Sequence, residues 1–408
     1  MDQVLAARNP GDVIARQPDV DHRNRRGHRL ELAGVVALAG VAGALQFSIA
    51  AAQILLTIAL ACWAGLALVG RERLDVPRFF WPLAAYAGIT LVSAAFSIDP
   101  RASLIDSKQL VLFLIVPLVY RFATGSRGLT LMTVVLSCAA ISAIVGIVQY
   151  AILHYDNLGQ RPQGTLGHYM TYSGLLMLVI GVALARVLFG RGERTWAALV
   201  MPALAVAVAL SFTRSAAVGA CAAAAVLLAL KDFRLLAVLP VVAAVFFAAA
   251  PGKVTARMTS MFNQQDATVR DRVAMLREGE HMIRDRPLVG VGPNMVLRVY
   301  PEYRDPDAVA KLNPHLHNVP LQIAAERGIP ALAIWLWFLA ALTLGLARSF
   351  RSGRQRFLAA AGLAAVVSMI AAGLFEYNFG DSEFLMLFLI IVTLPFAADR
   401  TPDVAPRT

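Results

Sequence analysis

Residues 195–250 read TWAALVMPALAVAVALSFTRSAAVGACAAAAVLLALKDFRLLAVLPVVAAVFFAAA. Only Arg214, Lys231, Asp232 and Arg234 are charged in this stretch, and they divide it into apolar runs at 195–212, 215–231 and 233–250. A helix rises about 1.5 Å per residue, so about 20 apolar residues cross the hydrocarbon layer of a bilayer. The stretch therefore reads as three membrane-crossing helices joined by turns too short to leave the membrane surface.

Working outward, further apolar runs lie at 30–47, 51–70, 76–97, 103–122, 128–153 and 169–189, and then at 330–348, 356–375 and 382–398. Residues 30–70 are split in two by their length and by the polar pair Gln46 and Ser48. The expected fold is all-α: a polytopic membrane protein with about twelve transmembrane helices. Composition agrees. Of the 408 residues, 58% are hydrophobic and only 15% charged, whereas a soluble domain carries roughly 25% charged residues. A single water-soluble core is excluded on this balance, a disordered chain by its hydrophobicity, and a small disulfide scaffold by length. Cys62, Cys138 and Cys221 all sit inside apolar runs and read as small buried hydrophobes rather than as a disulfide or metal framework.

The net charge of +11 suits nucleic acid or a membrane protein with Arg-rich cytoplasmic loops. Placing the N-terminus inside and alternating sides separates the two. The inner segments then carry 6 Lys/Arg in the N-terminal tail, 3 in 71–78, 2 in 121–127, 3 in 186–194, 2 in 231–234, 4 in 348–356 and 2 in the C-terminal tail. The short outer loops hold only Arg101, Arg161 and Arg214. This asymmetry is the positive-inside pattern, so no nucleic-acid partner is expected. The expected organisation is a cytoplasmic tail over 1–29, transmembrane helices 1–9 over 30–250, a periplasmic loop with short helices over 251–329, transmembrane helices 10–12 over 330–398, and a cytoplasmic tail over 399–408. Residues 1–29 are polar and Arg-rich, so no cleavable signal peptide is expected.

Ionisable groups at the edge of a bilayer are costly and are functional candidates by default. Arg214, in Ser211-Phe212-Thr213-Arg214-Ser215, either snorkels to the interface or clamps an anion. The segment 267–285 reads as a helix whose apolar positions Val269, Val273, Leu276 and Ile283 share one face. Arg272 flanks that face, while Arg270 points further toward solvent. In His315-Leu316-His317-Asn318-Val319-Pro320-Leu321-Gln322, Asn318 is an N-cap with Pro320 in the first turn, Gly328 ends the helix and Pro330 opens the next run. His317 is thereby set at a helix start near the membrane edge, as a structural hydrogen-bonder or a base. No Cys or carboxylate stands at ligand spacing from the two histidines, so a metal is not expected. Lys108, in the fourth run, either meets a lipid phosphate or snorkels. Asp305-Pro306-Asp307 lies in a polar loop, and Glu376, Asp381 and Glu383 read as a solvated acidic turn. Gly290-Val291-Gly292 lacks a preceding strand and is not a nucleotide loop.

The run from His315 to Pro330 resembles the signature block of the O-antigen ligase and polymerase superfamily, roughly His-x-His-Asn-x-x-Leu-Gln followed by Glu-x-Gly-Ile. Arg272–Gly292, with Leu276 where the family usually has Trp, resembles the block just upstream. Ser211–Ala220 is similar to its Arg-Ser block and Gly164–His168 to the block before its middle spans. The resemblance implies a bacterial inner-membrane enzyme acting on the periplasmic side, with both termini cytoplasmic. It implies an undecaprenyl-diphosphate-linked glycan as donor and lipid A–core as acceptor. It also implies His317 as base and Arg214 and Arg272 on the diphosphate, with Arg270 in reserve. His315, His168, Arg161 and Lys108 are secondary candidates. A polymerase or a protein O-oligosaccharyltransferase of the same superfamily is the alternative, and a lipid or anion carrier a further one.

The chemistry fits these residue types. A diphosphate leaves with growing negative charge, which fixed arginines stabilise through a planar, permanently charged fork. The attacking hydroxyl must lose a proton, and a histidine, with an ordinary pKa of about 6.5, accepts one near neutrality. No metal or cofactor is required by this scheme. The first outer loop, about residues 48–50, has no carboxylate, unlike metal-dependent membrane glycosyltransferases of the oligosaccharyltransferase type.

Overall fold

The computed structural model describes residues 17–70, 75–192 and 194–400. Residues 1–16 of the N-terminal tail, Arg71 and Arg73 of the second inner segment, and the C-terminal tail beyond 400 lie outside the described residues. Among the described residues every regular element is helical. The chain runs through α1 (Gln17–Ala44), α2 (Ile49–Gly70), α3 (Phe80–Ala95), α4 (Pro100–Asp106), α5 (Ile115–Phe122) and α6 (Arg127–Ala151). It continues with α7 (Tyr169–Phe189), α8 (Arg194–Leu210), α9 (Arg214–Lys231), α10 (Val238–Ala249), α11 (Gly252–Thr259), α12 (Ala267–Asp285) and α13 (Val296–Tyr303). The last three are α14 (Val319–Ser352), α15 (Arg356–Gly373) and α16 (Ser382–Ala398).

Among the described residues, seven helical segments are long and apolar enough to cross a membrane, and four more apolar segments are shorter, at Phe80–Ala95, Arg194–Leu210, Phe233–Ala249 and Ser382–Ala398. The fourth predicted run is not one smooth helix. α4 passes through a 3₁₀ stretch, Ser107–Leu114, into α5, and Lys108 is exposed on that stretch. Helix α10 decides the solvent. None of its residues is buried, and Val241, Val242 and Val245 are 57–61% exposed. A naked apolar helix of this kind is stable in lipid and not in water.

The bundle is centred on α7, α15 and α16. α15 packs between α7 and α9, and small residues allow it. A Cβ on Gly219 of α9 would sit 2.1 Å from Met177 Sδ and 2.9 Å from the Ser368 carbonyl. Lipid tails supply no hydrophobic drive between helices, so this close backbone approach and its dispersion contacts hold them together.

Helix α11 packs through Val254 against Leu210 and Phe212, and helices α12 and α13 form a separate small unit before α14. Its core is Met275, Met282, Val291, Met295, Val296, Val299, Leu316 and Ala325. Helix α12 has the predicted bounds, but its expected apolar face is not its core face. Ala274, Met275, Glu278, Gly279 and Met282 are buried, whereas Val273 and Leu276 are 44% and 48% exposed. The stripe flanked by Arg272 is turned to an open cavity instead.

This unit is fixed to the bundle through a break in α14. Gly328 has φ 84° and ψ 167° and divides the helix, as the Gly328–Pro330 pair predicts. The break frees backbone groups, and residues 287–292 run alongside to meet them. Val291 N donates to Ala325 O (2.9 Å), Gly292 N to Glu326 O (2.9 Å), and Ile329 N to Pro287 O (2.8 Å). Ser93 Oγ, in the last turn of α3, lies 2.7 Å from Val289 O and 3.1 Å from Glu326 O. Gly290, at φ 68°, has no room for a side chain, since a Cβ would fall 2.2 Å from the Glu326 carbonyl carbon.

Substituting Gly290→Ala should therefore cost about 3 kcal/mol, from left-handed strain and a backbone clash, and lower the melting temperature in detergent by several degrees. Gly88→Ala, where a Cβ meets nothing within 4 Å, should be neutral in the same thermal assay.

Candidate functional site

Arg214 is the first residue of α9. It follows Phe212, a non-glycine residue at φ 56°, and Thr213, whose extended backbone starts the helix. That tight reversal buries the Arg214 side chain to 4% exposure. Its guanidinium donates to Ser260 Oγ (3.2 Å) and Asp266 Oδ1 (3.3 Å). Asp266 is the N-cap of α12, accepting from Thr268 N (3.0 Å) and Val269 N (3.3 Å). It also holds Arg257 at 3.5 Å. Burial opposes ionisation of Asp266, but Arg214, Arg257 and the capping bonds outweigh it and keep the carboxyl below its usual range. One carboxylate thus ties α12 to α9 and gathers two arginines.

Arg272, two residues further along α12 than Arg270, leans over the Phe375 ring (6.0 Å). Burial lowers its pKa, Glu376 supports its charge, and Arg214 opposes it, so the three groups share one field. Arg270 is exposed and reaches Asp307 O (3.4 Å) on the outside of the small unit.

His317 precedes the N-cap of α14 and adopts φ 47°, an uncommon left-handed conformation for a non-glycine residue. Its turn is held on three sides. Asn318 Oδ1 accepts from Leu321 N (2.9 Å), Asn318 Nδ2 donates to Leu374 O (3.1 Å), and Gln322 Oε1 accepts from Leu316 N (2.6 Å). The imidazole Nδ1 lies 3.0 Å from Glu376 Oε1. Glu376, read from the sequence as part of a solvated turn, is instead a half-sequestered carboxylate with 15% side-chain exposure. Its connection, between α15 and α16, is folded back against the His317 turn. Burial would raise its pKa, but the His317 hydrogen bond, the His317 charge and Arg272 together hold the carboxyl below its usual range. An ionised Glu376 only accepts, so Nδ1–H donates to it, and in that tautomer a neutral ring carries its lone pair on Nε2.

His317 stands between two cavities. One, of ≈ 420 Å³, is lined by Arg214, Arg272 and His317 and by apolar groups including Phe262, Val273, Leu276 and Phe375. The other, of ≈ 280 Å³, is lined by His317 and Glu376 together with His168, Thr171, His315 and Asp381. His168 caps α7 by accepting from Thr171 N at Nδ1 (3.5 Å), and Thr171 Oγ1 donates to Asp381 Oδ2 (2.5 Å). Burial, and then His317, lower the His315 pKa and favour its neutral ring.

Residues 199–336 match the family model described as O-antigen ligase. Over that third of its length the chain resembles the O-antigen ligase family. No curated protein matches it. The matched stretch includes Arg214, Arg270, Arg272, His315 and His317, whereas Glu376 and His168 come from outside it and line a cavity with His317 through folding.

Of the residues expected from the sequence, Arg214, Arg272 and His317 share one cavity, and His315 and His168 join His317 in the other. Arg161 stacks on Tyr169 (4.2 Å) and lies in the field of Arg214. Arg270 and Lys108 line neither cavity. Sequence reasoning missed Glu376, Arg257 and Asp266. The available signals were a helix-capping Asp ahead of 267–285 and a carboxylate at the end of an apolar run.

The carboxyl of Glu376 should titrate at higher pH in His317→Ala or Arg272→Ala than in the wild type, because burial then goes less opposed. Infrared difference spectroscopy of the protonated carboxyl band measures this. An unchanged titration would show that the imidazole and guanidinium do not hold the carboxylate.

Proposed function

We propose that this protein is a metal-independent glycosyltransferase that ligates undecaprenyl-diphosphate-linked O-antigen to a sugar hydroxyl of lipid A–core. The observation that carries the reading is the position of His317 between an apolar cavity with two arginines and a polar cavity with hydroxyl and carboxylate groups. A prenyl diphosphate needs the first combination, a greasy wall and fixed cations at its head. A sugar acceptor needs the second.

In this scheme the diphosphate lies against Arg214 and Arg272, which stabilise the charge that grows on the leaving oxygen. Arg270 is not part of the clamp. The acceptor hydroxyl attacks the anomeric carbon from the polar cavity and gives its proton to His317 Nε2. Glu376 orients the ring through Nδ1 and stabilises the imidazolium that forms. The anomeric C–O bond to the diphosphate breaks as the new glycosidic bond forms, and the lipid diphosphate departs. The arginines perform the electrostatic work that a divalent cation performs elsewhere, so the residues themselves ask for no metal.

The site faces the periplasm in this reading, with twelve crossings and both termini in the cytoplasm. Support comes from charge. The helix ends opposite the site carry Arg186, Arg191, Arg194, Lys231, Arg354 and Arg356, as the positive-inside rule requires of a cytoplasmic face. Arg214 and His317 share one cavity at one end of the bundle, which favours an enzyme over a carrier with a path through the membrane.

Lipopolysaccharide profiling of a deletion strain tests the reaction. Loss of all O-antigen-capped material with accumulation of lipid-linked polymer supports the ligase, and core bearing a single repeat assigns polymerisation instead. With purified components, His317→Ala should lower transfer by about 10²-fold or more, and Arg214→Ala and Arg272→Ala each by about tenfold or more. Arg270→Ala should stay within a few-fold of wild type. Activity abolished by EDTA and restored by a divalent ion would overturn the metal-free scheme.

A further inference from the structure

A large cavity lies at the other end of the helices that carry the site. It measures ≈ 900 Å³ and forms where α7 and α9 end, where α6 and α8 begin, and where the Gly353 turn joins α14 to α15. Six cations line it, Arg186, Arg191, Arg194, Lys231, Arg354 and Arg356, and its described lining residues include no carboxylate. Glu193, inside this segment of sequence, is outside the described residues. Like charges gathered around a cavity repel one another, so the arrangement calls for an anion.

Four of the six cations, Arg186, Arg194, Lys231 and Arg356, make contacts that hold them at the cavity. Phe189 lies between Lys231 Nζ (5.7 Å from the ring centre) and Arg356 (5.6 Å), and Arg356 also stacks on Phe350 at 4.7 Å. Lys231 Nζ donates to Leu188 O (3.2 Å), and Arg194 Nε donates to Gly190 O. Arg186, the buried member, lies over Phe357 at 5.6 Å and donates to Thr133 Oγ1 (2.9 Å). Other arginines at this end of the bundle do find carboxylates, Arg127 with Glu31 at 2.8 Å and Arg400 with Asp75 at 2.9 Å. Arg191, Arg194, Lys231 and Arg356 form no ion pair with a described carboxylate, while Arg354 lies in the field of Asp399.

The level of the cavity is marked by aromatic and apolar groups. Trp196, in the first turn of α8, is 41% exposed and donates its Nε1–H to Ser137 Oγ (3.2 Å). Leu199, one turn deeper, is 68% exposed, and Leu129 at the cavity wall is 41% exposed. A Trp at the border between charged and naked apolar surface places this opening at headgroup depth. Basic recesses between helices at that depth suit acidic lipid headgroups.

We propose that this cavity binds phosphate, supplied by the headgroup of an acidic phospholipid in the leaflet opposite the glycosyl-transfer site. The inference does not depend on the reaction assigned to that site. Lys231, Arg354 and Arg356 reach it from α9 and from the α14–α15 turn. Bound phosphate would therefore tie together the far ends of the helices whose other ends carry Arg214, His317 and Glu376.

The test uses the full-length protein in nanodiscs of zwitterionic lipid, with and without phosphatidylglycerol or cardiolipin, read by native mass spectrometry and by melting temperature. The wild type should retain acidic lipid and gain stability from it. The triple variant Arg191→Gln/Lys231→Gln/Arg354→Gln alters exposed side chains only. It should retain at least tenfold less acidic lipid and lose the stability gain, with an unchanged melting temperature in zwitterionic lipid. Arg284→Gln, an exposed arginine on α12, should leave lipid retention at the wild-type level. In a second arm, inorganic phosphate replaces the acidic lipid. Equal stabilisation by inorganic phosphate at matched concentration would overturn the lipid source, and equal lipid retention by the triple variant would overturn the site itself.

Discussion

The break in α14 at Gly328 is the constraint on which the rest of the protein depends. A helix that stops inside a packed bundle leaves backbone groups without partners, and at this depth water is not available to satisfy them. Residues 287–292 supply the partners through Val291, Gly292 and Pro287. That pairing docks α12 and α13 onto the membrane helices, and with them Arg272. It also separates the first turns of α14, which begin beside His317, from the long apolar remainder. Cation and imidazole are therefore placed by one backbone arrangement, and the two glycines at its centre, Gly290 and Gly328, have conformations and clearances that exclude larger residues.

Electrostatics complete what the backbone begins. Two arginines share Asp266, and a third lies in the combined field of Arg214 and Glu376. Like charges at close quarters in a half-dry cavity are costly, and the carboxylates at its edges offset that cost while leaving Arg272 turned to the open space. The apolar stripe of α12 has the matching role. It lines the cavity with side chains that water does not favour, so the space beside the cations suits an amphiphile.

Much of this was legible in the chain. Apolar run lengths gave the helices, because the bilayer imposes a length on every crossing. The helix cap at Asn318 and the stop at Gly328 followed from local rules that need no tertiary contact. Arg214, Arg272 and His317 stood out because charge near a membrane is rare. What stayed hidden was pairing at long range. Glu376 lies 59 residues from His317, and nothing local distinguishes a carboxylate that meets an imidazole from one in solvent. The inverted reading of α12 has the same origin. Periodicity identifies a stripe but not whether protein or an open cavity lies against it, and the Ala274, Met275 and Gly279 face packs closely with no louder hydrophobic signal.

The carboxylate of Asp266 carries a consequence for turnover. It rests 3.3 Å from Arg214, so the guanidinium always has an anionic neighbour. In the proposed reaction an incoming phosphate would share that cation with a resident competitor, which would limit how firmly the anion is gripped. On release of the proposed lipid diphosphate the guanidinium would already be neutralised, and no bare charge would be exposed to a poorly hydrated space. Tightness is traded for the freedom to let go.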